Sequence, residues 1–188
     1  MQRRSQTRIL VECALCVAIA CVLSEIKFEL PYGGSITAFS MVPILLAAFR
    51  NGTKWGVLTS FVYSLVQLFL GFKNVLYCKT LGAQTLCILF DYVVAFTVLG
   101  LALALATPFG GAKSRFSVGA GSALAILLRF VCHFISGMLI WGEYAPEGTP
   151  VWLYSLSYNV FYMLPELILA VVGAVLLYRV VKVEPAQN

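Results

Sequence analysis

Charged side chains are scarce in this sequence: only 11% of its 188 residues are Asp, Glu, Lys or Arg. Soluble domains carry about a quarter charged residues, so this chain lacks the polar surface needed to cover a globule in water. Intrinsic disorder needs low hydrophobicity and high charge, whereas 61% of these residues are hydrophobic. The scarcity of charge therefore excludes both classes and leaves a polytopic membrane protein.

Other shortages exclude further functions. The net charge of +5 is small and dispersed, which argues against a nucleic-acid partner, and a single histidine leaves no cluster of metal ligands. The six cysteines lie almost entirely in apolar stretches, and we interpret the Cys13-x-x-Cys16 pair as small helix residues. No G-x-x-x-x-G-K-[ST] sequence occurs, so no ATP-binding P-loop is predicted. The sequence thus predicts no metal, no cofactor and no catalytic residue.

Six apolar segments, separated by polar residues, glycine or proline, predict membrane-spanning helices of about 20 residues. They are residues 8–24, 38–49, 54–71, 82–107, 117–141 and 152–180. The predicted fold class is all-α, a bundle of six transmembrane helices that forms one domain over residues 1–188. The second segment is short, and Pro165 predicts a kink in the sixth. The mixed stretch 25–37 predicts a loop able to bend over something beneath it.

The N-terminal residues and the basic side chains predict the orientation. Arginines precede the first apolar run as in a secretory signal, but Glu12 within that run favours a retained first helix. With the N-terminus inside, nine basic residues lie on the inner side: Arg3, Arg4, Arg8, Arg50, Lys54, Lys113, Arg115, Arg179 and Lys182. The outer loops hold three: Lys27, Lys73 and Lys79. This positive-inside bias predicts a multi-pass protein of the cell-membrane bilayer with both termini cytoplasmic.

Five ionisable side chains lie within the predicted spans: Glu12, Asp91, Arg129, His133 and Glu166. Such groups are costly in hydrocarbon, so each is expected to face a cavity or a partner. At about 1.5 Å per residue, Asp91 lies roughly 13 Å and His133 roughly 12 Å from the outer ends of their helices. The same estimate places three further residues in this outer-leaflet layer: Trp141, Tyr154 and Asn159.

The fifth segment carries Arg129, His133, Gly137 and Trp141 at i, i+4 spacing, which forms a slowly drifting stripe on one helix face. An acid, aromatic rings and an amide in one outward-open pocket suit a flat, positively charged heteroaromatic solute. We hypothesise that Asp91 supplies the countercharge to such a ligand.

The same residues also have structural interpretations. Asp91 can form an ion pair with Arg129, and His133 can be a packing residue whose hydrogen bonds are satisfied. Gly137 can permit close helix packing instead of making room for a ligand. The aromatic belt at a membrane interface can account for two tryptophans, Trp141 and Trp152.

Several segments resemble the thiamine-specific S subunits (ThiT type) of energy-coupling factor vitamin transporters, and the likeness covers nearly the whole chain. The most specific are Asp91-Tyr92, the stretch 133–137 (HFISG) running to 141–144 (WGEY), and 154–159 (YSLSYN). Residues 40–43 (SMVP) and 50–52 (RNG) resemble that family's second helix and inner turn. The resemblance implies a six-helix membrane subunit with a high-affinity thiamine pocket open to the outside.

The resemblance also implies a set of substrate-binding residues: Tyr77, Asp91, Tyr92, His133, Trp141, Tyr154 and Asn159. By this likeness, His133 and Trp141 contact the rings of thiamine, and Tyr154 and Asn159 bind its polar edges. Asp91 stands where the family often carries glutamate, so its side chain is one methylene shorter.

Two further features of the resemblance concern the first helix and the first outer loop. Ala14 and Ala18 form a small-xxx-small face that permits close helix contact. In the family such a face docks the transmembrane coupling subunit, so the resemblance implies that partner and two ATP-binding subunits. Tyr32 is the aromatic residue nearest to the place where the family's first outer loop can carry tryptophan.

Two other functions fit the same residues. The pocket can serve another solute, such as riboflavin or a pyrimidine precursor. Alternatively, Asp91 and His133 can form the acid–base pair of a small membrane enzyme. Against the enzyme, no serine or cysteine nucleophile has an evident base beside it. An enzyme would convert its bound solute, whereas a binding subunit would return it unchanged.

Overall fold

The computed structural model describes residues 5–29 and 34–178, and this part of the chain is mainly helical. Its helices are α1 (Gln6–Glu25), α2 (Val42–Asn51), α3 (Thr53–Leu70), α4 (Phe72–Leu76), α5 (Leu81–Cys87), α6 (Val94–Thr97), α7 (Ala102–Ala106), α8 (Arg115–Leu139) and α9 (Val151–Leu177). A π-helical segment, Ile88–Val93, joins α5 to α6. Short 3-10 segments follow α6, α7 and α8: Val98–Leu101, Thr107–Phe109 and Trp141–Tyr144. We call the continuous run Leu81–Phe109 the composite helix.

Four helical runs within the described residues are long and apolar enough to cross a membrane: α1, the composite helix, α8 and α9. α3 is 18 residues long, and α2, with 10 residues, is a shorter apolar helix. The predicted helical membrane fold is confirmed in this sense. The number of six spans and the cytoplasmic termini stay predictions. Several residues behind the orientation and loop predictions lie outside the described part: Arg3, Arg4, Tyr32, Arg179 and Lys182.

The stretch predicted as a loop contains a small β-hairpin. Strand β1 (Lys27–Glu29) pairs antiparallel with β2 (Ser35–Thr37), so the all-α prediction misses one two-stranded sheet. β-branched and aromatic side chains, which favour extended backbone, occur in these strands. The chain then turns at Phe39, whose φ of 61° is left-handed, and α2 begins at Val42 with Pro43 in its first turn. The predicted start at residue 38 is therefore four residues too early.

A buried carboxylate fixes the hairpin to α9. Glu166 is 2% exposed and accepts hydrogen bonds from the Thr37 hydroxyl, at 2.8 Å, and from the Thr37 backbone N–H. α9 is continuous through Pro165, and the kink predicted there stays a prediction. The hairpin is thus held against α9 next to Tyr162, where an added Cβ on Gly34 would lie 2.7 Å from the ring.

α8 and α9 pack closely at Gly137. A Cβ added there would lie 2.2 Å from the Ser155 hydroxyl oxygen, closer than any real contact. The Ser155 hydroxyl donates to the Phe134 carbonyl at 2.8 Å, which ties the two helices together. The packing interpretation of Gly137 is therefore the one that the structure supports.

Candidate ligand site at the composite helix, α8 and α9

Asp91, His133 and Trp141 are in direct contact. The Asp91 Oδ1 atom lies 3.1 Å from His133 Nδ1, and Asp91 Oδ2 accepts a hydrogen bond from the Trp141 indole N–H at 2.9 Å. The side chains of Asp91 and His133 are 15% and 11% exposed. Because an ionised carboxylate only accepts, His133 presents a proton on Nδ1 in this contact. The structure thus places a partly buried carboxylate in hydrogen-bonding contact with two aromatic rings.

Irregular backbone carries two of these three residues. Asp91 lies in the π-helical segment, and such segments occur frequently at functional sites. Trp141 opens the 3-10 segment after α8, which ends at Leu139, so Trp141 lies just beyond the helix in which it was predicted. The four-residue stripe on α8 therefore ends in a turn that places the indole N–H against Asp91.

Asp91 does not pair with Arg129. Within residues 5–29 and 34–178, no ion pair includes Arg129, whose guanidinium carbon lies 4.3 Å from the centroid of Phe96. The Arg129 Nη1 atom is 2.8 Å from Met41 Sδ. The ion-pair alternative for Asp91 is therefore wrong in this structure. Asp91 instead contacts His133 and Trp141.

Asn159 supports the site through the backbone of α8. Its amide nitrogen donates to the Ser155 carbonyl at 2.8 Å and to the His133 carbonyl at 3.3 Å. Its amide oxygen accepts from the Tyr162 hydroxyl at 2.8 Å. These contacts use the side-chain amide inside the protein, at 2% exposure. Asn159 is thus adjacent to His133, and its amide serves helix-to-helix hydrogen bonding.

A row of tyrosines along α9 connects Tyr154 to the site. Tyr154 stacks on Tyr158 with ring centroids 6.0 Å apart, and Tyr158 meets Tyr162 edge-on at 5.7 Å. Tyr162 in turn meets the His133 ring at 6.2 Å. Tyr158 and Tyr162 were not predicted as site residues, although their i, i+4 spacing from Tyr154 places all three on one helix face. That spacing was the available sequence signal.

The two remaining tyrosines of the predicted set lie apart from the carboxylate. The Tyr92 hydroxyl donates to the Gly71 carbonyl at 2.8 Å and accepts from the Asn74 amide at 3.1 Å, so it fastens the composite helix to the α3–α4 junction. Tyr77, directly after α4, is 62% exposed. Neither has a contact with Asp91 or His133 among the hydrogen bonds and ring contacts of the described residues.

An exposed ion pair includes Glu143, two residues after Trp141 in the chain. Lys79, in the segment between α4 and α5, donates to Glu143 at 2.6 Å, and Glu143 belongs to the same 3-10 segment as Trp141. The hydrogen bond from Lys79 to the Glu143 carboxylate raises the pKa of the Lys79 ammonium. The ion pair thereby links the α4–α5 connection to the 3-10 segment that carries Trp141.

The face of α1 that carries Ala14 and Ala18 is exposed. An apolar groove of about 670 Å³ lies beside it between α1, α2 and α9, and its lining includes Leu15, Ile19 and Leu176. At one end of the groove, Arg50 Nε donates to Glu12 at 2.9 Å, so the predicted need of Glu12 for a partner is met. The described part of the chain therefore leaves Ala14 and Ala18 of α1 uncovered.

Comparisons with known proteins agree on one family. A family model described as thiamine transporter protein (Thia_YuaJ) matches residues 10–184 of this chain. The thiamine transporter ThiT of Bacillus subtilis (strain 168) is 35% identical over 188 aligned residues, which cover 95% of this chain and 94% of the relative. The thiamine transporter ThiT of Lacticaseibacillus paracasei is 30% identical over 169 residues, covering 85% of this chain and 81% of the relative.

A solved structure shares the fold. The structure of ThiT from Listeria monocytogenes matches with a TM-score of 0.71, over 94% of this chain and 96% of that chain. The two sequences are 22% identical in this comparison. The likeness therefore concerns the course of the backbone over nearly the full length of both chains.

Proposed function

This chain belongs to the thiamine transporter protein family (Thia_YuaJ), and from that membership we propose that it is a high-affinity thiamine-binding membrane subunit of an importer. The observation that carries the proposal is the contact of Asp91 with both His133 and Trp141. It provides a negative charge and two aromatic rings within one partly buried cluster, which is the chemistry that a cationic heteroaromatic ligand requires.

The charge of Asp91 accounts for the attraction. Thiamine carries a permanent positive charge on its thiazolium ring, joined through a methylene group to an aminopyrimidine. A carboxylate in a region of low dielectric attracts such a cation far more strongly than it would in water. Because His133 and Trp141 each hold one carboxylate oxygen, Asp91 is already oriented before the ligand arrives, and little ordering is needed on binding.

The aromatic and polar groups account for the recognition of the flat rings of the ligand and of its polar edge. We assign ring stacking to Trp141 and His133, and the polar edge of the aminopyrimidine to Tyr154 and to His133 Nε2, which has no hydrogen-bond partner within residues 5–29 and 34–178. A neutral His133 with its proton on Nδ1 offers Nε2 as an acceptor for an amino N–H. Asn159 holds the His133 segment of α8 in place, and its own contact with a ligand requires the amide to exchange a protein hydrogen bond.

The two outlying tyrosines have different parts in this proposal. Tyr92 positions the π-helical segment through Gly71 and Asn74, and so sets the direction of the neighbouring Asp91 side chain. Tyr77 stands at the outer rim, where an exposed ring can contact thiamine on its way to the cluster.

Transport requires partners that supply energy. We propose that a transmembrane coupling subunit docks on the exposed Ala14 and Ala18 face of α1, and that two ATP-binding subunits hydrolyse the nucleotide. The chain itself contains no P-loop sequence. With both termini in the cytoplasm, the Asp91 cluster lies in the outer half of the bilayer and Arg50 in the inner half, in accord with the positive-inside rule.

Titration of the detergent-purified protein by isothermal calorimetry with a panel of vitamins tests the function. Saturable binding of thiamine, with riboflavin and an isolated aminopyrimidine at least about a hundredfold weaker, supports the proposal. Equal or tighter binding of another vitamin contradicts it. Mass spectrometry of the released ligand separates a binding subunit from an enzyme, because only an enzyme would return a converted molecule.

A further inference from the structure

Arg129 is a buried cation, and not all of its N–H donors have a hydrogen-bond partner among the described residues. Its side chain lies among Phe96 and Met41, and the residue is 9% exposed. Its Nε atom is buried without a hydrogen-bond partner, and no ion pair includes this arginine in the part of the chain that the structure describes. A thioether is a weak acceptor and an aromatic face offers no lone pair, so neither replaces a carboxylate. The charge of Glu166 on α9 acts on Arg129 from beyond ion-pair distance. A guanidinium buried in a membrane span without a directly bonded carboxylate is a candidate functional residue.

Arg129 lies next to the proposed thiamine site. His133 is four residues further along α8, about 6 Å along the helix axis and on the same face. The His133 Nε2 atom is likewise buried without a partner among the described residues. Asp91 contacts His133 from the composite helix. His133 on α8 therefore contacts the negative Asp91 of the composite helix, and the same face of α8 carries the positive Arg129 one turn away.

We propose that Arg129 determines the orientation and the specificity of the ligand by binding an oxygen atom at the end of its side arm. This inference rests on the proposed function. Thiamine carries a hydroxyethyl arm on the same ring that bears its positive charge. Asp91 attracts that ring and Arg129 repels it, so the ring lies toward Asp91 and the arm extends along α8 toward Arg129. A guanidinium donates equally well to a hydroxyl or to a phosphate ester at the end of the arm.

Three ligands test this assignment by calorimetry on the purified full-length protein: thiamine, thiamine monophosphate and an analogue whose arm is an ethyl group. The wild-type protein is expected to bind the ethyl analogue at least about tenfold more weakly than thiamine, as for the loss of one hydrogen bond to a charged group. Arg129→Met is expected to weaken both oxygen-bearing ligands by at least about tenfold, while the ethyl analogue changes by less than about twofold. If Arg129→Met weakens the binding of thiamine monophosphate more than the binding of thiamine, Arg129 binds the phosphate group. If both affinities fall by the same factor, Arg129 binds the oxygen atom that corresponds to the hydroxyl of thiamine.

Matched variants separate recognition from folding. Arg115→Met makes the same substitution at an exposed position on α8 and is expected to leave all three affinities within about twofold. Arg129→Lys keeps the charge and is expected to restore part of the preference for oxygen-bearing ligands. Uniform weakening of all three ligands by Arg129→Met, or no change, overturns the inference.

The wild-type protein tests the inference even where Arg129→Met does not fold. Equal affinity for thiamine and for the ethyl analogue shows that no donor binds the arm, which overturns the inference and leaves thiamine binding intact. Failure of the wild-type protein to bind thiamine overturns the proposed function and this inference together.

Discussion

Asp91 and His133, 42 residues apart in the sequence, meet with 3.1 Å between Oδ1 and Nδ1. This contact joins the π-helical segment of the composite helix to α8, and the Trp141 N–H completes it from the turn that follows. The carboxylate therefore has one fixed position relative to two aromatic rings.

The first prediction concerns the charge of Asp91. Asp91→Asn removes the negative charge and keeps the size of the side chain, so thiamine binding is expected to weaken by at least about tenfold, or about 1.4 kcal/mol. Calorimetric titration of the purified variant measures this change. Asp91→Glu serves as the control, because it keeps the charge on a longer side chain. Unchanged affinity in Asp91→Asn would remove this carboxylate from the site.

The second prediction concerns Trp141. A bound heteroaromatic ring changes the surroundings of this indole, so thiamine is expected to quench the tryptophan fluorescence mainly through Trp141. Trp141→Phe is expected to abolish most of the quenching, whereas Trp55→Phe and Trp152→Phe are expected to retain it. A signal that persists in Trp141→Phe places the ligand elsewhere.

The third prediction concerns the contact of α8 with α9. Gly137→Ala introduces a methyl group 2.2 Å from the Ser155 hydroxyl oxygen, and such overpacking costs about 1–3 kcal/mol. A lower midpoint of thermal unfolding in detergent is expected. Gly82→Ala is the matched control, because a Cβ there would meet no described atom within 4 Å apart from its chain neighbours and the backbone of its own helix, and alanine favours helix there. Equal midpoints for the two variants would contradict the close packing.

The fourth prediction separates docking from binding. Ala14→Leu together with Ala18→Leu enlarges the exposed face of α1 and is expected to abolish thiamine uptake in cells that carry the complete transporter. Thiamine affinity of the isolated subunit is expected to stay within about twofold, because distant sites contribute nearly independently. Ala104→Leu, at another exposed alanine, is expected to leave uptake normal. Normal uptake by the double variant, or loss of affinity along with uptake, refutes the docking assignment.

Counting residues from the ends of the predicted spans was enough to predict that Asp91 and His133 lie at about the same depth in the membrane. The estimate needs only the helical rise and the direction of each span, and the hydrogen bond between the two side chains agrees with it. The apolar segments likewise predicted a mainly helical chain, because long runs of hydrophobic residues have few alternatives in a membrane. The comparisons confirm the family that the motifs in these helices indicated.

The direction in which each side chain points around its helix axis could not be predicted by counting residues from the helix ends. The π-helical segment changes the rotation per residue over Ile88–Val93, so a regular helical projection does not give the directions of Asp91 and Tyr92. Asn159 satisfies its amide with the His133 and Ser155 carbonyls, which depends on the spacing of α8 and α9. The choice between an ion pair with Arg129 and a contact with Trp141 likewise depends on three-dimensional packing.

The Lys79–Glu143 ion pair has a consequence for the kinetics of ligand exchange. It joins the α4–α5 connection to the segment that carries Trp141, so a solute that separates these two segments on its way in or out must break the pair. An exposed ion pair contributes about 0–1 kcal/mol and weakens as salt shortens the Debye length. Stopped-flow measurements are therefore expected to show association and dissociation both becoming faster with ionic strength by up to a few-fold. The equilibrium constant, which is their ratio, changes less than either rate.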